Sequence, residues 1–333
     1  MKKISVKAIA FGAICVCLSV ILVEVCMYIP ILGMFSVILS GIPLMLLGVK
    51  YGTRMSGIAF IASILLLFVL NGDILSVLML GIMNLLPGVI IGYAVSRKFS
   101  FSNSIFAVSG AVLVGYAIQL WMIDKLNGGN GIEDMISQIL DSSKNMMGDI
   151  ISKLPTEAPV PMNELMANIN TVMNQIKEMI LLYMPTFFIG ISVVLGYCAY
   201  MFGIFILGRL RFRRVMYIPF NRMIASRNMC YVAMILYIIT AFSEKITPVN
   251  AVLVNMSSLL YAFICVCGLS FIDFKLSKKI TSGYLRAIIY AVVFFVGYLM
   301  IGMLLHILIL IGLADAMLNF RSLTKVGEDN GRK

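Results

Sequence analysis

The sequence predicts an all-α protein: a polytopic transmembrane helical bundle of nine or ten spans, with a helical insert on its extracytoplasmic side. Three observations carry that prediction. Of 333 residues, 61% are apolar and only 12% charged, about half the charged share of a soluble domain. Lipid must therefore solvate much of the side-chain surface. Several apolar runs reach the roughly 20 residues that a helix needs to cross the hydrocarbon core. The basic residues, finally, collect in short connectors, above all 209–227, which carries Arg209, Arg211, Arg213, Arg214, Arg222 and Arg227 and no acid. A connector of this kind reads as a cytoplasmic loop and an inner-face charge anchor. It divides the chain into two halves.

The first span, 8–29, follows Lys2, Lys3 and Lys7 and stops at Pro30. It is longer than a signal-peptide core and several spans follow, so it reads as an uncleaved helix. Glu24 lies near its outer end. A carboxylate there must face the bundle, reach the interface or be neutral. The run 31–49 returns to Lys50 and is interrupted by Gly41 and Pro43; a helix broken in lipid needs its freed backbone groups satisfied by neighbours. The run 55–70 leads out to Asn71-Gly72-Asp73, and 74–95 comes back with Asn84 and Pro87-Gly88 in mid-membrane. Discontinuous helices at this depth mark substrate sites in transporters, and Pro and Gly are also common in membrane helices generally. A fifth span, 104–123, carries Gln119 and the interface anchor Trp121. Residues 1–123 thus form a five-helix N-terminal bundle. The pairs Ala8/Gly12 and Gly88/Gly92 have the small-xxx-small spacing of close helix packing or partner docking.

Residues 124–179 change character, with eight acids against four lysines. Two amphipathic helices are predicted, 132–153 and 162–180, on either side of a proline-rich break. Ile132, Met135, Ile136, Ile139 and Leu140 recur at helical spacing in the first; Leu165, Met166, Ile169, Val172, Met173 and Ile176 do so in the second. The insert is a cap, a ligand lid or a docking module. The C-terminal bundle, 180–322, holds spans at 180–208, 228–243 and 249–272. Its final apolar stretch, 284–318, would be about 52 Å long as one helix, so two short spans turning near 297–302 are expected. His306 and Asp315 are its candidate buried polar groups. The polar tail 323–333 is placed in the cytoplasm, as is the N-terminus. With this topology 21 of the 26 basic residues lie inside, which is the asymmetry expected of a plasma-membrane protein.

Several function classes lose support. The net charge of +11 is spread over membrane-flanking connectors, which suits anionic lipid headgroups and not nucleic acid. The seven cysteines fall in or beside apolar runs without CxxC spacing, so they read as packing residues. One histidine without clustered acids makes no metal site. No cofactor fingerprint, P-loop or nucleophile–base motif is found, so an enzyme is the weakest of the readings.

The Pro30-terminated first helix, the Gly41-Ile42-Pro43-Leu44 helix with its Lys50-Tyr51-Gly52 turn, Leu85-Leu86-Pro87-Gly88 and the terminal Gly312-Leu313-Ala314-Asp315…Phe320-Arg321 carry a resemblance. In their order the chain resembles the YybS-like predicted membrane proteins of Gram-positive bacteria, a domain family of unknown function. The N-terminal part of that family is similar to the S subunits of energy-coupling-factor vitamin transporters. The resemblance implies a membrane subunit that works with a transmembrane coupling subunit and two ATPases. It also implies a docking role for a small-xxx-small pair on the first helix, here Ala8/Gly12. The expected function is a substrate-binding or permease-like component for a small organic solute, with Glu24, Asn84 and Gln119 orienting its polar edge. The alternative is a non-transporting scaffold or assembly factor for envelope or sporulation proteins.

Overall fold

A computed structural model describes residues 5–33, 35–126, 128–152, 162–212, 217–242, 247–296 and 301–321. Arg213, Arg214, the proline-rich break 154–161, the turn at 297–300 and the tail 323–333 lie outside these residues. The regular structure of the described residues is all helical, with no strand. The chain divides into two compact units, Met1–Met216 and Tyr217–Lys333; the division falls inside the arginine connector.

Helix α1 (Val6–Tyr28) opens the first unit, with the Ser5 hydroxyl accepting from the Ala8 amide as an N-cap. Ala8, Gly12, Cys15, Ser19, Val23 and Cys26 line its buried face. Ile9, Ile14, Leu18 and Ile21 stand exposed on the other. Such an exposed apolar face is unfavourable in water and ordinary in lipid.

The run after α1 is indeed interrupted: it folds as three pieces, α2 (Pro30–Gly33), α3 (Ser36–Leu39) and α4 (Ile42–Tyr51). Pro43 sits in the first turn of α4, where its missing N–H costs no intrahelical bond. Then come α5 (Thr53–Asn71) and α6 (Ile74–Ser96). Asp73 caps α6, and bonds from the Ser76 hydroxyl and the Ser76 and Leu75 amides hold its carboxyl below the usual carboxylate range. Pro87 lies within α6.

Helix α4 is the middle of this unit. Its Leu44 and Leu47 join Val23, Leu67, Val77 and Leu85 in one apolar cluster. Its Met45 turns to a second, with Ile91, Val108, Tyr200 and Leu207. Those last residues belong to α6, α7 (Phe101–Leu126) and α9 (Met162–Arg209).

Helix α8 (Gly131–Ser152) matches the first predicted amphipathic helix. Ile136 is buried while Met135 and Ile139 are exposed, so the helix packs one edge of its apolar stripe. The second predicted helix does not end near residue 180. It continues into the following span as the single 48-residue helix α9, about 72 Å long. Pro185 lies inside this helix without ending it, since backbone groups in or near the hydrocarbon must stay satisfied within the helix.

The second unit begins with a 3-10 turn, Phe220–Arg222, followed by α10 (Arg227–Ala241), α11 (Pro248–Ser277), α12 (Gly283–Val296) and α13 (Ile301–Leu318). Helices α11 and α13 cross at two glycines. A Cβ on Gly268 would lie 2.0 Å from the Leu308 carbonyl oxygen, and one on Gly312 2.3 Å from that of Ile264.

All ten predicted apolar runs coincide with a helix or, for 31–49, a series of helices. Among the described residues six helices (α1, α5, α6, α7, α9 and α11) are long and apolar enough to cross a membrane. The segment Ser36–Tyr51, α10 and Met303–Leu318 are shorter apolar helices.

The first unit also has a close approach between glycines: a Cβ on Gly88 would fall 2.0 Å from the Gly41 carbonyl oxygen. Gly110 of α7, by contrast, faces open space. Gly88→Ala should therefore destabilise the purified protein by about 1–3 kcal/mol or more. Gly110→Ala should leave it unchanged or slightly more stable. Thermal unfolding in detergent measures both.

Candidate functional site

The break between α3 and α4 lies against α6, and a polar pair sits at that junction. Ser36 donates from Oγ to Asn84 Oδ1 at 2.7 Å, and Asn84 donates from Nδ2 to the Leu80 carbonyl at 2.9 Å. Asn84 is 4% exposed. A buried amide without partners would be costly, so Ser36 is what makes Asn84 acceptable in the helix packing. One turn further along α6, Gly88 meets Gly41. Beyond it Gly92 packs on Met45, where a Cβ would be 3.1 Å from the Met45 carbonyl oxygen. Gly88 and Gly92 are thus helix-packing residues of this junction. A narrow apolar crevice lies there among Val37, Ile38, Met45, Ile91, Ala199 and Gly203, with no room for a water molecule.

Glu24 belongs to a different place. It accepts from Asn71 Nδ2 at 2.7 Å, tying the end of α1 to the end of α5, and Asn71 also donates to the Leu67 carbonyl. Asn84 lies ten residues into α6, which begins just after Asn71; the two sites are therefore separated by roughly 15 Å along the helix axis. Gln119 is half-buried on α7. No hydrogen bond joins Glu24, Asn84 and Gln119 to one another among the described residues.

Ala8 and Gly12 face inward. Ala8 is buried, and a Cβ on Gly12 would meet Leu47 and Met55 at ordinary contact distance. The small pair packs α1 on its own bundle.

In the first unit Lys50 and Arg209 lie at the C-terminal ends of α4 and α9. Lys50 Nζ lies 4.6 Å from the Phe11 ring, 5.3 Å from Tyr51 and 5.5 Å from Phe212, joining the starts and ends of α1, α4 and α9 through cation–π contacts. Arg209 stacks on Phe205, and Arg211 follows α9 in a left-handed conformation with φ 57°. Arg222 ends the 3-10 turn, and Arg227 begins α10.

Within the second unit, Asp315 is buried and His306 is exposed on α13. The partner of Asp315 is Arg321, whose Nε donates to Asp315 Oδ2 at 2.8 Å with both side chains inaccessible. The same guanidinium donates to the Asn221 carbonyl, Ser270 Oγ and the Cys267 carbonyl. It also lies over Phe271 and Phe274. Arg321 therefore fixes the end of α13 to α11 and to the 3-10 turn. Asp273 forms a second node, accepting from Arg286 at 2.7 Å and from the Tyr290 hydroxyl at 2.9 Å.

Sequence reasoning missed Ser36, Asn71, Arg321, Ser270 and the Asp273–Arg286–Tyr290 node. A charge-asymmetry argument assigns Arg321 and Arg286 to the interface as anchors, which hides their pairing. Asp315 and Arg321, six residues apart across a helix end, carried the readable signal for the first of these.

A sequence family described as predicted membrane protein (DUF2232) matches residues 17–316. The chain belongs to this family. No curated protein and no solved structure matches. This DUF2232 protein is a multi-pass membrane protein, and family membership covers both units, including the α8–α9 insert.

Removing one member of a buried ion pair leaves the other charged and unpaired, at a cost of about 3–5 kcal/mol. Arg321→Met alone should destabilise the protein on that scale. The double variant Asp315→Leu/Arg321→Met should recover more than half of the loss. A double-mutant cycle by thermal or denaturant unfolding checks both.

Proposed function

We propose that this DUF2232 protein is a substrate-binding or permease-like component for a small organic solute. The solute enters between the broken α3–α4 segment and α6. The observation that carries the reading is the Ser36–Asn84 hydrogen bond beside the Gly41–Gly88 approach. A helix broken inside the apolar layer, held by one polar pair and glycine contacts, can part without exposing charged groups. In parting it offers an amide and a hydroxyl to a polar ligand edge, with Val37, Met45 and Ile91 as apolar walls. The crevice would then be the closed form of the site. Glu24 and Gln119, at the opposite end from Lys50, would act at the entrance and not in the same pocket as Asn84.

In this reading the basic end faces the cytoplasm, in keeping with charge asymmetry, and the α8–α9 insert faces out. The likeness to energy-coupling-factor S subunits is a fold-level analogy that favours transport. Because Ala8 is buried and Gly12 faces Leu47 and Met55, a coupling subunit would have to dock on another face, such as the exposed side of α1.

A scaffold role has its own support. Helix α9 is far longer than the roughly 30 Å hydrocarbon layer, and α8 with the outer part of α9 leaves Met135, Ile139, Met146, Met147 and Val172 exposed. Partner proteins of the cell envelope would bind there.

A thermal-shift screen of purified protein against small metabolites separates the two readings. Transport predicts at least one compound that raises the unfolding temperature, with Asn84→Ala abolishing that rise while the variant remains folded. No stabilising compound, together with envelope proteins crosslinked to α8 in native membranes, would favour the scaffold and defeat the transport reading.

A further inference from the structure

The second unit contains an apolar crevice beside the Asp273–Arg286–Tyr290 node. It has a volume of about 120 Å³ and lies between α11, α12 and α13. Leu269, Ile272 and Leu276 share one face of α11 as one wall; Ile289 and Tyr290 of α12 and Leu304 and Leu308 of α13 supply the others. From Leu269 to Leu276 the wall is roughly 10 Å long. It offers water almost nothing to hydrogen-bond, and an apolar cavity of this order stays dry. Left empty, its lining side chains would forfeit dispersion contacts. In a bilayer the available filler is an acyl chain.

Charge selects the lipid. The crevice leads to the turn between α11 and α12, where Lys275, Lys278 and Lys279 are exposed. No Asp or Glu occurs between Asp273 and Asp315. Asp273 itself is matched by Arg286 and Tyr290 and Lys275 lies within electrostatic reach of Asp315, while Lys278 and Lys279 form no ion pair among the described residues. Arg286 Nε is buried with no hydrogen-bond partner among the described residues. Lys278 lies 4.6 Å from the Phe274 ring and Lys275 5.4 Å from Phe271, which keeps both ammonium groups beside the helix end. A buried N–H without a hydrogen-bond partner among the described residues and two lysines without an ion pair there, beside an apolar slot, complement a lipid phosphate with its chain attached.

We propose that the α11–α12 turn and this crevice form a binding site for an anionic phospholipid. The phosphate rests on Lys278, Lys279 and Arg286, and one acyl chain occupies the slot beside Ile289 and Leu304. The site belongs to the second unit alone and does not depend on what the first unit binds.

The test uses the full chain in uncharged detergent. Phosphatidylglycerol and phosphatidylcholine with identical acyl chains are titrated, with inorganic phosphate as a separate probe, and bound lipid is read by native mass spectrometry. Phosphatidylglycerol should bind about tenfold more tightly than phosphatidylcholine. Lys278→Gln/Lys279→Gln, two surface changes, should remove that preference. Ile289→Phe, which fills the slot, should weaken both lipids. Equal binding of the two lipids by the wild-type chain overturns the proposal. So does inorganic phosphate displacing phosphatidylglycerol completely at millimolar concentration, which would mark a headgroup site without a chain slot. Should Ile289→Phe fail to fold, the lysine variant decides: an undiminished preference in it refutes the site, and a lost preference supports it.

Discussion

The first unit depends on backbone meeting backbone at Gly41 and Gly88. Helices in lipid gain nothing by hiding apolar side chains from water, since the solvent is as apolar as leucine; they associate through close packing and polar bonds. The Gly41–Gly88 approach, with no space for a single Cβ on either side, brings the broken segment onto α6 closely enough for Ser36 to reach Asn84. Helix α4 can then serve both apolar clusters at once, with Leu44 and Leu47 on one side and Met45 on the other. The proline and glycine residues that interrupt the second run are therefore what let it occupy the middle of the unit.

The second unit solves the same problem with the same means. Gly268 and Gly312 let α11 and α13 touch through their backbones, and Arg321 secures the far end of that crossing with Asp315, Ser270 and two main-chain carbonyls. A guanidinium is suited to this, since its rigid fork can donate to several acceptors at once. The pairing of glycine crossing and polar node in both units is a consequence of the solvent, not evidence of a repeat.

Much of the architecture was legible because hydropathy and charge placement are strong signals. The limits of α1, α5, α6 and α7, the interruption at Gly41 and Pro43, and the amphipathic α8 all follow from residues visible in one dimension. The continuity of α9 was not, because a change from polar to apolar composition near residue 180 looks the same whether the helix breaks there or simply enters the membrane. The site was harder still. Glu24 and Asn84 stand out as polar groups in apolar runs, yet their partners Asn71 and Ser36 lie 47 and 48 residues away. Serine is too common in membrane helices to be noticed unaided. Depth along the bundle, which separates Glu24 from Asn84, becomes apparent only once helix directions and lengths are known.

The account stands on the α3–α4 break being seated on α6 at Asn84. In a background lacking the native cysteines, Ser36→Cys and Asn84→Cys should be joined by a short bifunctional thiol crosslinker in native membranes. Cleavage at a protease site placed in the Gly52 turn, which separates both cysteine pairs, should then leave the two fragments linked. Failure to link them, under conditions that do link Glu24→Cys to Asn71→Cys, would contradict the placement of the broken helix and the site built on it.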